Sequence, residues 1–286
     1  MQPCMTLEPE TDQEIDPMPR FDYVRATSIA HAQALLAEPD VRSRVLAGGT
    51  DLLLLLREGQ TPCDRVVDIT QIAELHRIHC QDGCVIIGAA ATFSEIIASD
   101  VVNATAPLLV AACRSVGAPQ IRNMGTLGGN VANAAACADS LPALVCLDAV
   151  AHAQTDGAEV RWPVSEFVTR PNRTQLPPAA LLTALSYRVP PPDSRSVFLK
   201  LGRRNALAIS RLTVAALGRV VDGRIAETRV VPGSATPQIH RFAETEGTLL
   251  GREPTAALCM EAGEVAVREM SGITGREMAS RILHAN

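Results

Sequence analysis

Apolar residues in the first quarter of the chain switch between helical and strand spacing. Residues 27–37 carry apolar positions at helical intervals behind a Thr-Ser pair that can cap a helix. The stretch "RVLAGGTDLLLLLREG" predicts a strand ending at Leu46 and a helix over Leu52–Arg57. Residues 64–70 form a short run rich in Val, which favours a buried strand. The pattern therefore predicts a compact α/β unit.

A glycine pair separates the strand and the helix of this unit. Gly48 and Gly49 predict a tight turn, because glycine tolerates backbone conformations that other residues avoid. Thr50 or Asp51 can cap the helix that follows, and Gly59 is placed to close it. The connection is therefore expected to be short and to expose backbone amides.

The middle of the chain begins with a hairpin and continues with helices. The Asp-Gly turn at residues 82–83 leads into a return strand over residues 85–87. Thr92 is a cap for a helix over Phe93–Ala98, and a further helix is expected over residues 107–116. The next stretch, residues 121–140, is rich in Gly, Asn and Ala, and we interpret it as a flexible loop.

The last part of the chain alternates strands and helices around a proline boundary. A short helix, two strands joined by a turn at residues 156–157, and a further strand precede the prolines at 190–192. Strands with a turn at residues 222–223 follow, and helical patterns begin near residue 236. We predict an α+β fold with an acidic tail over 1–19, subdomains over 20–75 and 76–190, and a C-terminal domain of mixed sheet plus helices over 191–286.

Composition and charge exclude several classes of function. The chain has 286 residues, a net charge of −5 and no dense Lys/Arg block, so nucleic acid is not an expected partner. No apolar run reaches the roughly 18 residues of a membrane helix, and the acidic N-terminus does not resemble a secretory signal. Eight scattered cysteines without a CxxC pair indicate reduced thiols, and we expect a cytoplasmic protein.

Two glycine pairs carry the clearest chemical signal. Thr50 directly follows the pair Gly48-Gly49, and Thr126 precedes the pair Gly128-Gly129 with one residue between them. Amides around such turns can form a concavity for an anion, and two of them suit a pyrophosphate held from both sides. The alternative is that each pair is simply a tight turn, and the residues alone leave both open.

Other nucleotide and hydrolase motifs are absent from the sequence. It has no GxxxxGK[ST], no GxGxxG after a strand, no HExxH and no GxSxG. The six histidines are dispersed, and the pair at His76 and His79 lacks a further ligand at clear spacing. We therefore expect no metal site and no side chain that acts as an essential acid or base.

Four segments together resemble one family, the FAD-binding medium subunits of molybdenum hydroxylases. They are "AGGTDLL" at 47–53, "IGAAATFSEI" at 87–96, "GAPQIRNMGTLGGNVANAAACADSLPAL" at 117–144 and "FLKLGRRNALAIS" at 198–210. The resemblance runs in order from about Phe21 to the C-terminus. It implies that the two subdomains form a two-part α/β FAD-binding domain of the PCMH/VAO-like type.

The resemblance also implies an FAD site. The loop from Leu46 to Leu53 would lie on the FAD pyrophosphate through the amides of residues 47–51 and the Thr50 hydroxyl. The segment from Thr126 to Asn130 would close on the same phosphates. Asp139 matches an aspartate that binds sugar or ribityl hydroxyls, Leu182 a residue packed on the flavin, and Lys200 a lysine near its pyrimidine end. The implied cofactor-binding residues are Leu46, Ala47, Gly48, Gly49, Thr50, Asp51, Leu52, Thr126, Gly128, Gly129, Asn130, Asp139, Leu182 and Lys200.

The chain departs from the family pattern in three places. Val116 stands near a position where some members place an aromatic side chain against adenine. The segment "ALAIS" at 206–210 lacks the acidic residue that often precedes Ile-Ser in relatives. The cysteine-rich insert that holds a 4Fe–4S cluster in some members is absent. Cys113, Cys137 and Cys146 are near one another in sequence, and the two that flank Asp139, Cys137 and Cys146, are interpreted as packing residues.

The resemblance implies an electron-transfer subunit of an oxidoreductase. A large molybdopterin subunit would hydroxylate the substrate, and a small subunit with two 2Fe–2S clusters would deliver electrons to FAD. The acceptor would be NAD⁺, O₂ or a quinone, and the assembly a dimer of heterotrimers. The alternatives are a stand-alone flavin-dependent oxidase or dehydrogenase and a non-catalytic binding module.

Overall fold

The computed structural model describes residues 20–155, 157–204 and 208–275. The first unit is a three-stranded parallel sheet of order β1–β3–β2. Its elements are β1 (Asp22–Arg25), α1 (Ile29–Leu36), β2 (Ser43–Leu46), α2 (Leu52–Arg57) and β3 (Arg65–Asp68). The predicted strand end at Leu46 and the predicted helix over Leu52–Arg57 are confirmed. The carboxyl ends of β2 and β3 therefore meet at the edge where the glycine pair lies.

The second unit is a five-stranded antiparallel sheet of order β4–β5–β10–β6–β7, with a separate two-stranded ribbon, β8–β9. After a 3₁₀ turn at Ala73–His76, its strands are β4 (Ile78–Gln81), β5 (Cys84–Gly88), β6 (Val150–Thr155), β7 (Ala158–Pro163), β8 (Val168–Arg170), β9 (Arg173–Thr174) and β10 (Leu181–Arg188). Its helices are α3 (Phe93–Ala98), α4 (Asp100–Thr105), α5 (Pro107–Ser115), α6 (Pro119–Met124), α7 (Leu127–Asn133), α8 (Ser140–Cys146) and α9 (Val164–Phe167).

The main hydrophobic core lies between these helices and the five-stranded sheet. Every residue of α8 is buried, and α5 buries five of its nine residues against the same core. A smaller apolar cluster joins α1 and β3 to Leu181 and Ala90, and so fixes the parallel sheet against the larger unit. Helix α3 begins at the predicted Thr92 cap, and Thr92 and Glu95 exchange hydrogen bonds there in a capping box.

The stretch over residues 121–140 is mostly helical, so its interpretation as a flexible loop is wrong. Helix α6 begins with a proline at its first turn, and α7 begins at a Thr126 cap whose side chain accepts a hydrogen bond from the Gly129 amide. Glycine and asparagine have low helix propensity, but tertiary packing outweighs it here. Leu127, Gly128 and Val131 are buried in the core.

The C-terminal domain is a three-stranded sheet with two helices. Its elements are β11 (Arg195–Gly202), β12 (Ser210–Val221), β13 (Arg224–Gly233), α10 (Ala243–Leu249) and α11 (Ala256–Thr274). The sheet is antiparallel throughout, in contrast to the mixed sheet expected there. One face packs on α5 and α8, which joins this domain to the second unit. The α+β class of the fold is confirmed.

Some expectations fall outside the described residues. These are the acidic tail over 1–19, the first residue of the turn at 156–157, and part of "ALAIS", at 206–207. None of the helices in the described part of the chain is both long and apolar enough to span a membrane.

Candidate functional site

The first glycine loop, defined as residues 47–51, leaves the carboxyl end of β2 and enters α2. Gly49 has a φ of +70°, a conformation that favours glycine. Asp51 stands at the N-cap of α2 as predicted, but its side chain caps no amide and instead accepts from the Thr50 hydroxyl. The amides of Gly48, Gly49 and Thr50 donate to no acceptor among the described residues. The loop therefore presents open backbone donors.

The second glycine pair is used differently, which corrects the expectation of two amide cradles. The Gly128 amide donates to the Ala89 carbonyl at 2.9 Å, and the Gly129 amide donates to the Thr126 hydroxyl oxygen at 3.0 Å. A Cβ on Gly128 would lie 2.5 Å from the Ala89 carbonyl oxygen. Because both amides already donate to protein acceptors, they are not open to an anion. Gly128 instead permits close packing, and Gly129 takes part in the helix cap.

The first glycine loop nevertheless lies against the segment that carries the second glycine pair. A Cβ built on Gly48 would fall 2.1 Å from the Met124 carbonyl oxygen and 2.8 Å from the Gly125 Cα. A Cβ on Gly129 would lie 3.9 Å from the Cβ of Ala47. The first glycine loop and the start of α7 are thus in contact, although about 80 residues separate them in sequence.

Asp139 and Lys200 form a buried ion pair that the sequence did not suggest. The Lys200 Nζ donates to Asp139 Oδ2 at 2.6 Å and to the Ser115 carbonyl at 2.9 Å. The Ser210 hydroxyl donates to Asp139 Oδ1. The side chains of Asp139 and Lys200 are 6% and 17% exposed. The pair joins the loop before α8 to β11 and β12.

A side-chain contact links this pair to α7. Ser140, the residue after Asp139, donates its hydroxyl to Asn130 Oδ1 at 2.6 Å. Asn130 directly follows the second glycine pair. Ser140 therefore connects the two predicted polar residues, Asn130 and Asp139.

The three predicted leucines have different surroundings. Leu182 is buried in β10, next to Thr183, whose carbonyl accepts from the Ala89 amide beneath α7. Leu46 ends β2 and Leu52 begins α2, and both are partly buried. Leu182 thus belongs to the sheet under the site, and the other two leucines frame the first glycine loop.

Sequence reasoning missed the residues that hold the predicted ones in place. Ala89 and Ser210 both lie in quoted motifs, but neither was assigned a role. The small side chain of Ala89 was the available signal, because a close backbone approach by Gly128 requires it. Ser210 carried no such signal, since its partner Asp139 lies 71 residues away.

The cysteines of this region are of two kinds. Cys113 and Cys146 are buried, and burial raises the pKa of both thiols, that of Cys146 to about 12. The charge of Asp139 raises the pKa of Cys113 further. Cys137 is exposed, so its interpretation as a packing residue is wrong. In the described ranges, no group of three His, Cys, Asp or Glu side chains could hold a metal ion.

The donors of the site fit a dinucleotide cofactor such as FAD. A pyrophosphate needs several hydrogen-bond donors at close range, and the open amides of Gly48, Gly49 and Thr50 provide them. Hydroxyl groups of a ribose or ribityl chain need acceptors, and the carboxylate of Asp139 can accept more than two hydrogen bonds.

Two family models cover most of the chain. Residues 19–192 match the FAD binding domain in molybdopterin dehydrogenase, and residues 197–281 match the CO dehydrogenase flavoprotein C-terminal domain. The chain is 34% identical over 228 residues to the xanthine dehydrogenase FAD-binding subunit of Escherichia coli O157:H7, with 79% of this chain and 78% of the relative covered.

Other comparisons point the same way. The chain is also 35% identical over 218 residues to the carbon monoxide dehydrogenase medium chain of Afipia carboxidovorans. That alignment covers 73% of this chain and 74% of the relative. A solved structure of carbon monoxide dehydrogenase from Hydrogenophaga pseudoflava matches with a TM-score of 0.84 and 26% identity, over 87% of both chains. The chain is therefore an oxidoreductase subunit that belongs to the FAD-binding medium subunits of the molybdenum hydroxylases.

Proposed function

We propose that the chain holds FAD with its pyrophosphate on the first glycine loop and serves as the electron-transfer subunit of a molybdenum hydroxylase. The observation that carries this placement is the set of open amides at Gly48, Gly49 and Thr50. A pyrophosphate is stabilised by such backbone donors, and Gly48 lets the loop that carries them pack closely against the end of α6.

The start of α7 completes the phosphate site from the other side. The Thr126 oxygen accepts from the Gly129 amide, so the Thr126 hydroxyl proton is free to point toward a phosphate. Gly128 allows α7 to approach Ala89, and this approach places Thr126 beside the first glycine loop. We assign the second glycine pair to positioning rather than to direct amide contacts.

Asp139 and Lys200 serve the remainder of the cofactor. Asp139 accepts from a ribose or ribityl hydroxyl with the lone pairs that Lys200 and Ser210 leave available. Lys200 lies toward the isoalloxazine, and Leu182 supports the same end of the site from the sheet. Bound FAD supplies reversible redox chemistry, while the protein binds and orients it and sets its electrostatic surroundings.

Partner subunits complete the proposed reaction. Electrons reach this subunit from the 2Fe–2S clusters of a small subunit, after a large molybdopterin subunit has oxidised the substrate. They leave to NAD⁺, O₂ or a quinone. The support is that relatives are named as the FAD-binding subunit or the medium chain of a dehydrogenase. We propose a dimer of heterotrimers in the cytoplasm.

A titration of the apo chain tests the cofactor placement. Flavin fluorescence and visible absorbance follow the binding of FAD and, separately, of FMN, which lacks the pyrophosphate. We expect FAD to bind at least about tenfold more tightly, the effect of losing one or more charge-assisted hydrogen bonds. Equal affinities would show that the pyrophosphate is not what this site recognises.

Anaerobic mixing tests the electron-transfer role. The chain reconstituted with FAD is mixed with the reduced 2Fe–2S subunit, and bleaching of the flavin absorbance is followed. Rapid bleaching is expected only with the partner present. Bleaching by a small organic substrate alone would instead identify a stand-alone flavin oxidase or dehydrogenase.

A further inference from the structure

Ser210 lies at the first position of β12, opposite the carboxylate of Asp139. We propose that Ser210 is a positioning residue of the FAD site, which acts on the cofactor by fixing the orientation of Asp139. The inference rests on the proposed function, in which Asp139 accepts hydrogen bonds from FAD hydroxyls. It gives the C-terminal domain, which already contributes Lys200 to the proposed site, a second residue of the site that need not touch FAD.

The two oxygens of Asp139 have different protein donors. Lys200 donates to Oδ2, and Ser210 donates to Oδ1. A carboxylate held through one oxygen can still turn about the bond to its Cβ, whereas donors on both oxygens fix its plane. Each oxygen keeps a second lone pair, so a fixed plane directs those lone pairs at a defined hydroxyl position.

Ser210 is better suited to this task than Lys200 alone. The ammonium of Lys200 lies at the end of a flexible four-carbon stem, while the Ser210 hydroxyl is one bond from Cβ. Ser210 is 7% exposed and Asp139 is 6% exposed, so water competes little for either group. A buried carboxylate with a protein donor on each oxygen has one well-defined orientation.

The backbone around Ser210 is shaped for this contact. Ser210 pairs with Gly202, and the register between β11 and β12 shifts at this end of the ladder, between Leu201 and Gly202. Such irregularities redirect a side chain at the end of a strand. Here the shift accompanies a Ser210 side chain that points to Asp139, which belongs to the other domain.

Asp139 is connected to the second glycine pair through its neighbour in sequence. Ser140 continues from Asp139 and contacts Asn130, next to the second glycine pair. A change at Ser210 is therefore expected to alter FAD binding without touching the first glycine loop.

A double-mutant cycle tests the inference. FAD affinity is measured by fluorescence titration for Ser210→Ala, Asp139→Ala and the double variant. We expect Ser210→Ala to weaken FAD binding by about 3- to 10-fold in the natural background, a fraction of the effect of losing a hydrogen bond to a charged group. In the Asp139→Ala background it should have no further effect, because the carboxylate that it orients is gone.

Matched variants separate positioning from a general loss of structure. Ser196→Ala makes the same chemical change in β11, at a hydroxyl that does not contact Asp139, and should leave FAD affinity unchanged. Ser210→Thr keeps the hydroxyl and should restore most of the affinity. Circular dichroism melts of the apo variants confirm that each is folded.

The outcomes distinguish this inference from the proposed function. If Asp139→Ala leaves FAD affinity unchanged, the proposed contact of Asp139 with FAD is wrong, and the inference is overturned with it. If Asp139→Ala weakens binding but Ser210→Ala does not, only the role of Ser210 is overturned. Equal weakening by Ser210→Ala in both backgrounds also overturns it, since the effect would not pass through Asp139.

Discussion

Gly48 is the residue at which the contact between the first glycine loop and the end of α6 can be tested most sharply. In Gly48→Ala, the new Cβ would lie 2.1 Å from the Met124 carbonyl oxygen and 2.8 Å from the Gly125 Cα. Both are backbone atoms, so no side-chain rotation can relieve the overlap. Since Cβ contacts under 3.0 Å are essentially never seen, the first glycine loop and the end of α6 must separate by about 1 Å.

This separation has two expected consequences. Overpacking of this kind typically lowers the free energy of unfolding by about 1–3 kcal/mol. A displacement of about 1 Å also moves the open amides of the first glycine loop away from Thr126. We therefore expect the Kd for FAD to rise at least about tenfold, which is a loss of about 1.4 kcal/mol in binding free energy. The loss of affinity should appear even at temperatures where the variant is fully folded.

The assay compares Gly48→Ala with a matched control. Gly263→Ala makes the same change inside α11, where a new Cβ has no atom within 4 Å. It should stabilise the fold by roughly 0.5–1 kcal/mol and leave FAD affinity unchanged. FAD affinity is measured by fluorescence titration, and stability by urea unfolding of the apo chain. A folded Gly48→Ala variant with natural FAD affinity would refute the reasoning.

Three further predictions concern charged groups. Asp139→Ala should weaken FAD binding by roughly 1–3 kcal/mol in a fluorescence titration, the scale of a lost hydrogen bond to a charged group. Lys200→Met leaves the buried Asp139 without its cation and should lower the free energy of unfolding by about 3 kcal/mol in urea. Arg161, and then His152, lower the pKa of Glu159 from 4.5 to about 2. The stability from this carboxylate is present above pH 4.5 and lost as pH falls toward 2, so Glu159→Gln should flatten the decrease in Tm over that range.

Each of these predictions has a contradicting result. Unchanged FAD affinity in Asp139→Ala would remove this residue from the site. If Lys200→Met is as stable as the natural chain, the ion pair contributes nothing to the fold. If Glu159→Gln loses Tm between pH 4.5 and 2 as steeply as the natural chain, the depressed pKa has no consequence for stability. The effect at Glu159 is expected to be small, because its side chain is 43% exposed.

Local signals were sufficient for several elements of the fold. The helix over Leu52–Arg57 was predicted because a glycine pair, a polar cap position and a closing glycine enclose a run of leucines. Thr92 marked the start of α3, because a threonine directly before a helix can accept a hydrogen bond from an amide of its first turn. The family resemblance, which was drawn from motifs that include this loop and the QIRN segment, was confirmed by the two family models that match the chain.

Interactions between distant residues could not be predicted in the same way. The glycine-rich stretch was interpreted as a loop because its intrinsic helix propensity is low, whereas α7 is stabilised by its buried Leu127 and Val131. The Asp139–Lys200 pair joins residues 61 positions apart, and no local pattern encodes it. The occupied amides of Gly128 and Gly129 likewise depend on Ala89 and on the geometry of the Thr126 cap.

A crystal structure of the chain with FAD bound tests the central claim most directly. The account predicts that pyrophosphate oxygens lie about 3 Å from at least two of the amide nitrogens of Gly48, Gly49 and Thr50. It also predicts a ribose or ribityl hydroxyl within hydrogen-bond distance of the Asp139 carboxylate. A pyrophosphate bound elsewhere, with these amides still open, would contradict the account.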